Sequence, residues 1–179
     1  MANLLTAIRL LLVIPVALAI ANAQLMTSWL LLALLLIAIA SDYFDGKLAR
    51  ALHIASARGM LFDHGTDFVF VTTALFALST IDLAPLLLPL LIVVAFAQYV
   101  LDSYFLFKQK QLRMSFLGRW NGVLYFVPIV FLAASRLPFL EGSQNLLNTT
   151  IIYFNYILVV STLASIFDRA IAPLRASEN

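Results

Sequence analysis

The sequence predicts an all-α integral membrane protein with six transmembrane helices. Of its 179 residues, 63% are hydrophobic and only 11% are charged, whereas soluble domains run near ~45–50% and ~25%. Six apolar stretches approach the ~20 residues that a helix needs to cross a bilayer. Basic residues also concentrate on one side of the resulting bundle. No water-soluble fold of this size buries so much apolar surface, so these observations favour a membrane protein.

The six spans follow one another with short connections, and we predict a single domain over residues 1–179. The second span ends in a cluster of acidic residues, and the third begins with the rest of that cluster. Prolines inside spans are tolerated because neighbouring helices satisfy the freed carbonyls. The predicted spans cover residues 5–22, 25–50, 59–79, 84–108, 118–137 and 147–173.

The distribution of Lys and Arg predicts the orientation. With six spans, both termini and the loops 2–3 and 4–5 lie on one side, and Arg136 is the one basic residue on the other. The first side is therefore predicted to be cytoplasmic, with the protein in the cell (inner) membrane. Its basic residues are Arg9, Lys47, Arg50, Arg58, Lys108, Lys110, Arg113, Arg119, Arg169 and Arg175.

An alternative exists for the first span. The start of the chain has a basic residue, an apolar run and a small-x-small site at residues 21–23, the pattern of a cleaved signal peptide. The remainder of the chain does not resemble an exported soluble domain, so a first transmembrane helix is preferred.

Four aspartates lie in one short window of an otherwise apolar chain: Asp42, Asp45, Asp63 and Asp67. Each pair has helical spacing and shares one helix face. Four carboxylates at a membrane surface cannot all remain charged and unpaired. Carboxylate oxygens suit Mg²⁺, Mn²⁺ and Ca²⁺, and two such ions nearly balance four aspartates. Metal pairs of this kind serve phosphate-ester chemistry.

Small and basic residues accompany these carboxylates. Gly46 and Gly59 permit close approach of a ligand to the backbone, and Ala49 keeps the same face shallow. Arg50 and Lys47 can pair with phosphate oxygens. Glycines in membrane helices more often mark packing contacts, but beside four carboxylates a ligand pocket is the better interpretation.

With its spacing, the window is D-x2-D-G-x2-A-R-x8-G-x3-D-x3-D, and it resembles the signature of the CDP-alcohol phosphotransferase family at every specified position. The opening residues "NLLTAIRLLLVIP" are similar to the start of bacterial members, and six spans is their layout. The positions that match are Asp42, Asp45, Gly46, Ala49, Arg50, Gly59, Asp63 and Asp67.

The resemblance implies an enzyme that moves a phosphatidyl or phosphoalcohol group from a CDP-linked donor to an alcohol and releases CMP. By analogy, Asp42, Asp45 and Asp63 hold two Mg²⁺ or Mn²⁺ ions, and Asp67 is both a metal ligand and the general base. Gly46, Ala49 and Gly59 line the cytidine-diphosphate pocket, to which we add Arg50. The family resemblance also suggests a homodimer.

The acceptor is less well defined by the sequence. Arg113 and Arg119 lie in or beside the basic loop 4–5, and Arg119 follows Gly118 where many bacterial members carry a Gly-Lys pair. A guanidinium there suits a phosphorylated acceptor such as glycerol 3-phosphate or inositol phosphate. We therefore rank CDP-diacylglycerol plus a small polar alcohol first.

Two departures favour a second possibility. Phe68 follows the last motif aspartate, where relatives that use glycerol 3-phosphate often carry a basic residue. The segment "LFDHGTD", with His64, resembles the FDHG segment of choline and ethanolamine phosphotransferases. The alternative is therefore transfer from a CDP-amino-alcohol to a lipid alcohol.

Other classes of function are less well supported. The net charge of +2 does not predict a nucleic-acid partner, and the absence of cysteine excludes thiol chemistry. Clustered carboxylates also occur in ion or proton transporters. A transporter would be expected to carry polar residues through several spans, whereas here they stop at one surface.

Overall fold

The computed structural model describes residues 2–51, 57–101 and 116–176, and side chains over 6–41, 59, 61–101 and 116–171. Every regular element in these ranges is helical, and seven α-helices are present. They are α1 (Ala2–Ala21), α2 (Ser28–Ala51), α3 (Ala57–Ser79), α4 (Leu87–Leu101), α5 (Phe116–Leu124), α6 (Phe126–Ser135) and α7 (Gln144–Ala176), with a 3₁₀ helix at Pro138–Ser143.

These elements agree with the predicted all-α class, and where both ends are described their bounds lie within three residues of the predicted spans. The predicted fourth span continues to residue 108, and its last part lies outside the described residues. A tight turn joins α3 to α4, in which Asp82 has a φ of 60°. Aspartate tolerates this left-handed conformation better than most residues.

The fifth predicted span forms two consecutive helices, α5 and α6. Tyr125 lies between them, and its N–H still donates to the Asn121 carbonyl at 2.9 Å. The interruption has a local cause, because Pro128 lacks the N–H that would reach Leu124 and its ring crowds that carbonyl. The two helices together remain long enough to count as one apolar crossing, Phe116–Ser135.

By length and hydropathy, three apolar stretches among the described residues can cross a membrane: Leu61–Ser79, Phe116–Ser135 and Pro138–Ile171. Three shorter apolar helices accompany them, at Thr6–Ala21, Ser28–Ser41 and Leu87–Leu101. These lie within the first, second and fourth predicted spans but are shorter than the spans. The total of six crossings and the orientation of the termini remain predictions.

The core forms one cluster of buried apolar side chains. Helix α1 packs against α2 and α3, and α7 packs against α4, α5 and α6. Many large apolar side chains face outward instead, such as Leu11 and Ile14 on α1. In a bilayer these side chains contact lipid. The core centres on Val16, Ile20, Leu31, Leu35, Leu75, Leu78, Leu88, Ile129, Ile151 and Leu158.

Arg136 directly follows α6 and forms hydrogen bonds with residues of α1 and α2. Its Nη1 and Nη2 donate to the carbonyls of Ala19 and Ile20, at 2.7 and 2.6 Å. These carbonyls lie in the last turn of α1, where a helix leaves its carbonyls without internal partners. The Arg136 carbonyl accepts from Ser28 Oγ at 2.6 Å.

Candidate active site

Two of the predicted carboxylates lie on one face of α3. Asp63 and Asp67 are one turn apart, and both contact Arg9 of α1. Arg9 Nη2 donates to Asp63 Oδ1 at 3.1 Å, and Nη1 donates to Asp67 Oδ1. The Arg9 side chain is completely buried, while those of Asp63 and Asp67 are 23% and 24% exposed. The carboxylates therefore lie between a buried cation and a solvent-accessible side.

The same helix turn supplies three donors suited to a metal ion. Single ligand atoms of Asp63, His64 and Asp67 lie within 4.8 Å of one another. Carboxylate oxygens suit Mg²⁺ and Mn²⁺, whereas imidazole is typical of Zn, Cu, Fe and Ni sites, so the two aspartates are the donors that match the predicted ions. The Thr6 hydroxyl also donates to Asp63 Oδ1, at 3.4 Å. The side chains of α3 therefore supply part of a donor set that suits the predicted divalent ion.

A cavity of about 360 Å³ opens beside Asp67. Asp67 and His64 line it from α3, Arg119 and Asn121 from α5, and Arg169 from α7. Most of its remaining wall is apolar or aromatic. One carboxylate and two guanidinium groups therefore share one mainly apolar cavity. Its further lining includes Ile39, Phe68, Val71, Ile92, Ala95, Phe96, Tyr99, Val123, Tyr125 and Phe126.

Aromatic side chains of α3 and α4 form one wall of this cavity. The rings of Phe68 and Phe96 stack with their centroids 4.1 Å apart, and Tyr99 lies 6.0 Å from Phe96 and 6.4 Å from His64. The guanidinium carbon of Arg169 lies 5.1 Å from the centre of the Tyr99 ring. This cation–π contact holds Arg169 at the cavity.

Polar contacts join α5, and the Tyr125 that follows it, to α7. Ser161 Oγ donates to Asn121 Oδ1 at 2.6 Å, and the Tyr125 and Thr162 hydroxyl oxygens are 2.7 Å apart. Asn121 and Thr162 are almost completely buried, where a hydrogen bond is costly to leave unmade. These contacts hold α5 against α7, and Arg119 and Arg169 of the two helices line the same cavity.

The structure brings some of the predicted site residues together. Asp63 and Asp67 share a face of α3, Gly59 lies one turn before Asp63 on that helix, and Arg119 lines the cavity with Asp67. Arg113 lies outside the described residues. The others occupy the last part of α2, but their side chains are not among those described: Asp42, Asp45, Gly46, Ala49 and Arg50.

Other residues of the site were not predicted. Arg9 and Arg169 entered the prediction only as positive charges on the cytoplasmic side. A charged residue within an apolar span is itself a signal, because such residues usually have a partner or a function. That rule identifies Arg9, whereas Asn121 and Tyr99 have no comparable signal in the sequence.

The fold and site define a class: a helical membrane protein with a carboxylate-rich site on one helix and a cavity beside it. The family profile of the CDP-alcohol phosphatidyltransferases matches residues 1–167, and the chain belongs to this family. No curated protein and no solved structure matches it. The protein is therefore a transferase of phospholipid synthesis that uses a CDP-alcohol donor and an alcohol acceptor.

Proposed function

We propose that the protein transfers the phosphatidyl group of CDP-diacylglycerol to a small polar alcohol that carries a phosphate, such as glycerol 3-phosphate or inositol phosphate, and releases CMP. The observation that carries this proposal is that Asp67 and Arg119 line the same cavity. Arg169 lines it as well. An acceptor bound there has a base for its hydroxyl and guanidinium groups for its phosphate.

In this mechanism the chain's own residues position the acceptor and remove its proton. Arg119 and Arg169 bind the acceptor phosphate through charge-assisted hydrogen bonds. Asp67 accepts the proton of the acceptor hydroxyl as that oxygen attacks the phosphorus that bears the diacylglycerol. A new phosphorus–oxygen bond forms, the bond to CMP breaks, and CMP leaves with the bonding electron pair.

We propose that divalent ions, Mg²⁺ or Mn²⁺ and two in number, are held by Asp63 and Asp67 of α3 together with Asp42 and Asp45 of α2. When bound, such ions neutralise charge on the phosphates of the donor. Gly46, Ala49, Arg50 and Gly59 are assigned to the cytidine-diphosphate part of the donor. Arg113 remains a second candidate for the acceptor phosphate.

The proposal includes a cellular setting. We expect a homodimer in the cell (inner) membrane with the active site facing the cytoplasm, where CDP-linked donors and soluble phosphorylated alcohols meet. The strong bias of Lys and Arg toward that side supports the orientation.

One observation favours a second candidate, transfer from a CDP-amino-alcohol to a lipid alcohol. The cavity wall is largely aromatic and apolar, and His64 lies in it beside Tyr99. An apolar cavity suits a lipid acceptor better than a small polyol. Against it, two arginines line the same cavity, and a neutral lipid acceptor carries no anionic group for them to bind.

A CMP-release assay with purified protein in detergent separates the two candidates. CDP-diacylglycerol is offered with glycerol 3-phosphate, inositol phosphate, serine, inositol or phosphatidylglycerol, and CDP-choline is offered with diacylglycerol. The proposal predicts Mg²⁺- or Mn²⁺-dependent CMP release in an arm with a phosphorylated acceptor. Release only from CDP-choline plus diacylglycerol would establish the second candidate instead.

A further inference from the structure

Arg9 is a charged residue inside the first apolar helix. Its side chain is completely buried, and its neighbours along the helix are mainly aliphatic. Removing a guanidinium from water costs several kcal/mol unless opposite charges and hydrogen bonds compensate. Asp63 and Asp67 of α3 supply two opposite charges for it. Arg9 is therefore part of the carboxylate site rather than a surface charge.

The two contacts have a particular geometry. One guanidinium bridges two carboxylates that lie one turn apart, with a separate terminal nitrogen on the Oδ1 atom of each. Thr6, one turn earlier on α1, donates to the same Asp63 oxygen. A divalent ion that bridged Asp63 and Asp67 would draw on the same two carboxylates. Arg9 and such an ion are both cations and thus compete for them.

We propose that Arg9 is the resident counter-cation of Asp63 and Asp67: it neutralises and orients the two carboxylates when no divalent ion is bound, and it weakens the binding of that ion. This inference rests on the proposed function only in assigning Asp63 and Asp67 as metal ligands. It gives Arg9 a positioning role, since the guanidinium acts on the reaction through the carboxylates.

The arrangement solves a problem of stability. Without a cation, two carboxylates one turn apart inside a membrane protein repel each other and oppose folding. Arg9 allows α1 and α3 to pack before any ion arrives. The cost is a lower affinity for the free ion, which suits Mg²⁺ sites in which substrate phosphates supply further ligands.

The test measures Mn²⁺ binding and thermal unfolding of the full chain in detergent, with no donor or acceptor present. Free Mn²⁺ is followed by electron paramagnetic resonance during a titration. Arg9→Gln is expected to unfold at a lower temperature without metal and to bind Mn²⁺ roughly tenfold more tightly, because the substitution removes a positive charge that repels the ion. Mn²⁺ affinity that is unchanged or weaker would overturn the proposal.

Arg136→Gln is the matched control. Arg136 is likewise an arginine that joins α1 to another helix, and it is partly buried, but it donates to backbone carbonyls. Its loss is expected to lower the unfolding temperature and leave the Mn²⁺ affinity as in the wild type. Arg9→Lys keeps the charge and loses the fork that reaches two carboxylates, so its affinity should lie between those of wild type and Arg9→Gln. Equal tightening in the Arg136 variant would contradict the proposal.

A double variant keeps the test decisive if Arg9→Gln does not fold. Arg9→Gln with Asp67→Asn removes one negative charge along with the positive one, and it is expected to recover part of the lost thermal stability. A double variant as unstable as Arg9→Gln would refute the pairing. Wild-type protein that releases no CMP from any donor would count against the proposed function alone, since these readouts need no substrate.

Discussion

Arg119 at the start of α5 and Asp67 on α3 line one cavity, although they belong to different helices and different predicted spans. The proposed general base and a side chain that can bind a phosphate thus line the same cavity. Substitutions at the two residues can therefore measure two quantities separately: the chemical rate at Asp67 and the affinity for the acceptor at Arg119.

The first prediction concerns Arg119. If the acceptor carries a phosphate, Arg119→Ala should raise the acceptor KM and leave the donor KM unchanged. Loss of a charge-assisted contact costs about 1.5–3 kcal/mol, or roughly ten- to over a hundredfold in affinity. Arg119→Lys should restore only part, because it keeps the charge but loses the bidentate fork. Steady-state kinetics of CMP release provide the measurement.

Trp120→Ala is the control for this experiment. Trp120 is the next residue on α5, is 54% exposed and is not among the residues that line the cavity. It should leave the acceptor KM near the wild-type value. An unchanged acceptor KM in Arg119→Ala would argue against a phosphate contact at Arg119 and in favour of a neutral lipid acceptor.

The second prediction concerns Asp67. Asp67→Asn should reduce kcat more than it changes the donor KM, because the amide cannot accept the acceptor proton. General-base assistance is typically worth ~10²–10⁴-fold, and a shared metal role deepens the loss. Asp82→Asn is the matched change: Asp82 lies in the α3–α4 turn with a φ of 60°, which Asn also tolerates. A kcat for Asp67→Asn within threefold of the Asp82→Asn value would exclude Asp67 as the base.

The third prediction concerns the remaining motif aspartates. Asp42→Asn, Asp45→Asn and Asp63→Asn should each abolish CMP release while the protein still inserts into the membrane, because each removes one ligand from a shared metal site. Chelation of divalent ions should abolish wild-type activity, and added Mg²⁺ or Mn²⁺ should restore it. Near-normal activity in any two of the three variants would eliminate the two-metal hypothesis.

The fourth prediction concerns stability at the other end of the bundle. Arg136→Met should destabilise the protein by about 2 kcal/mol, because two carbonyls of α1 lose charged donors. For a chain of this length that corresponds to a fall of roughly 4–8 °C in apparent Tm. Ser28→Ala, which removes a neutral bond to the Arg136 carbonyl, should cost less. A Tm for Arg136→Met equal to that of the wild type would show that these contacts do not stabilise the bundle.

The fifth prediction concerns topology. The chain has no cysteine, so single cysteines can be introduced without background labelling. Cysteines at Gln109 and Ser177 should react with an impermeant reagent only from the cytoplasmic side, and one at Ser143 only from the outside. Ser143 is exposed at the end of the 3₁₀ helix. Labelling of Gln109 from outside would overturn the six-span assignment.

The signal-peptide alternative is tested on the same protein by mass spectrometry of its N-terminus. Cleavage after Ala23 would remove Arg9 together with core residues such as Val16 and Ile20. We therefore expect the N-terminus to precede α1. A chain that begins at Gln24 would establish the alternative.

Much of the fold could be predicted from the sequence because the bilayer makes each helix a nearly independent unit. Apolar length alone predicted the helices, and the agreement at α3 and α7 reflects that. Pro128 also indicates a break near Tyr125, but the prediction of transmembrane spans accepts a proline inside a span and so did not place the break. The family, likewise, could be recognised from the spacing of the four aspartates, because a motif along one or two helices is a local property of the chain.

The sequence by itself determined the helices, the acidic window and the family. Only the tertiary structure decided that Arg9 of α1 contacts Asp63 and Asp67, and that Arg119 and Arg169 reach the cavity beside Asp67. The physical reason is that these contacts depend on how helices rotate and pack against one another. That packing is set by many weak apolar contacts and by buried polar pairs such as Tyr125 with Thr162, none of which has a signature in sequence spacing.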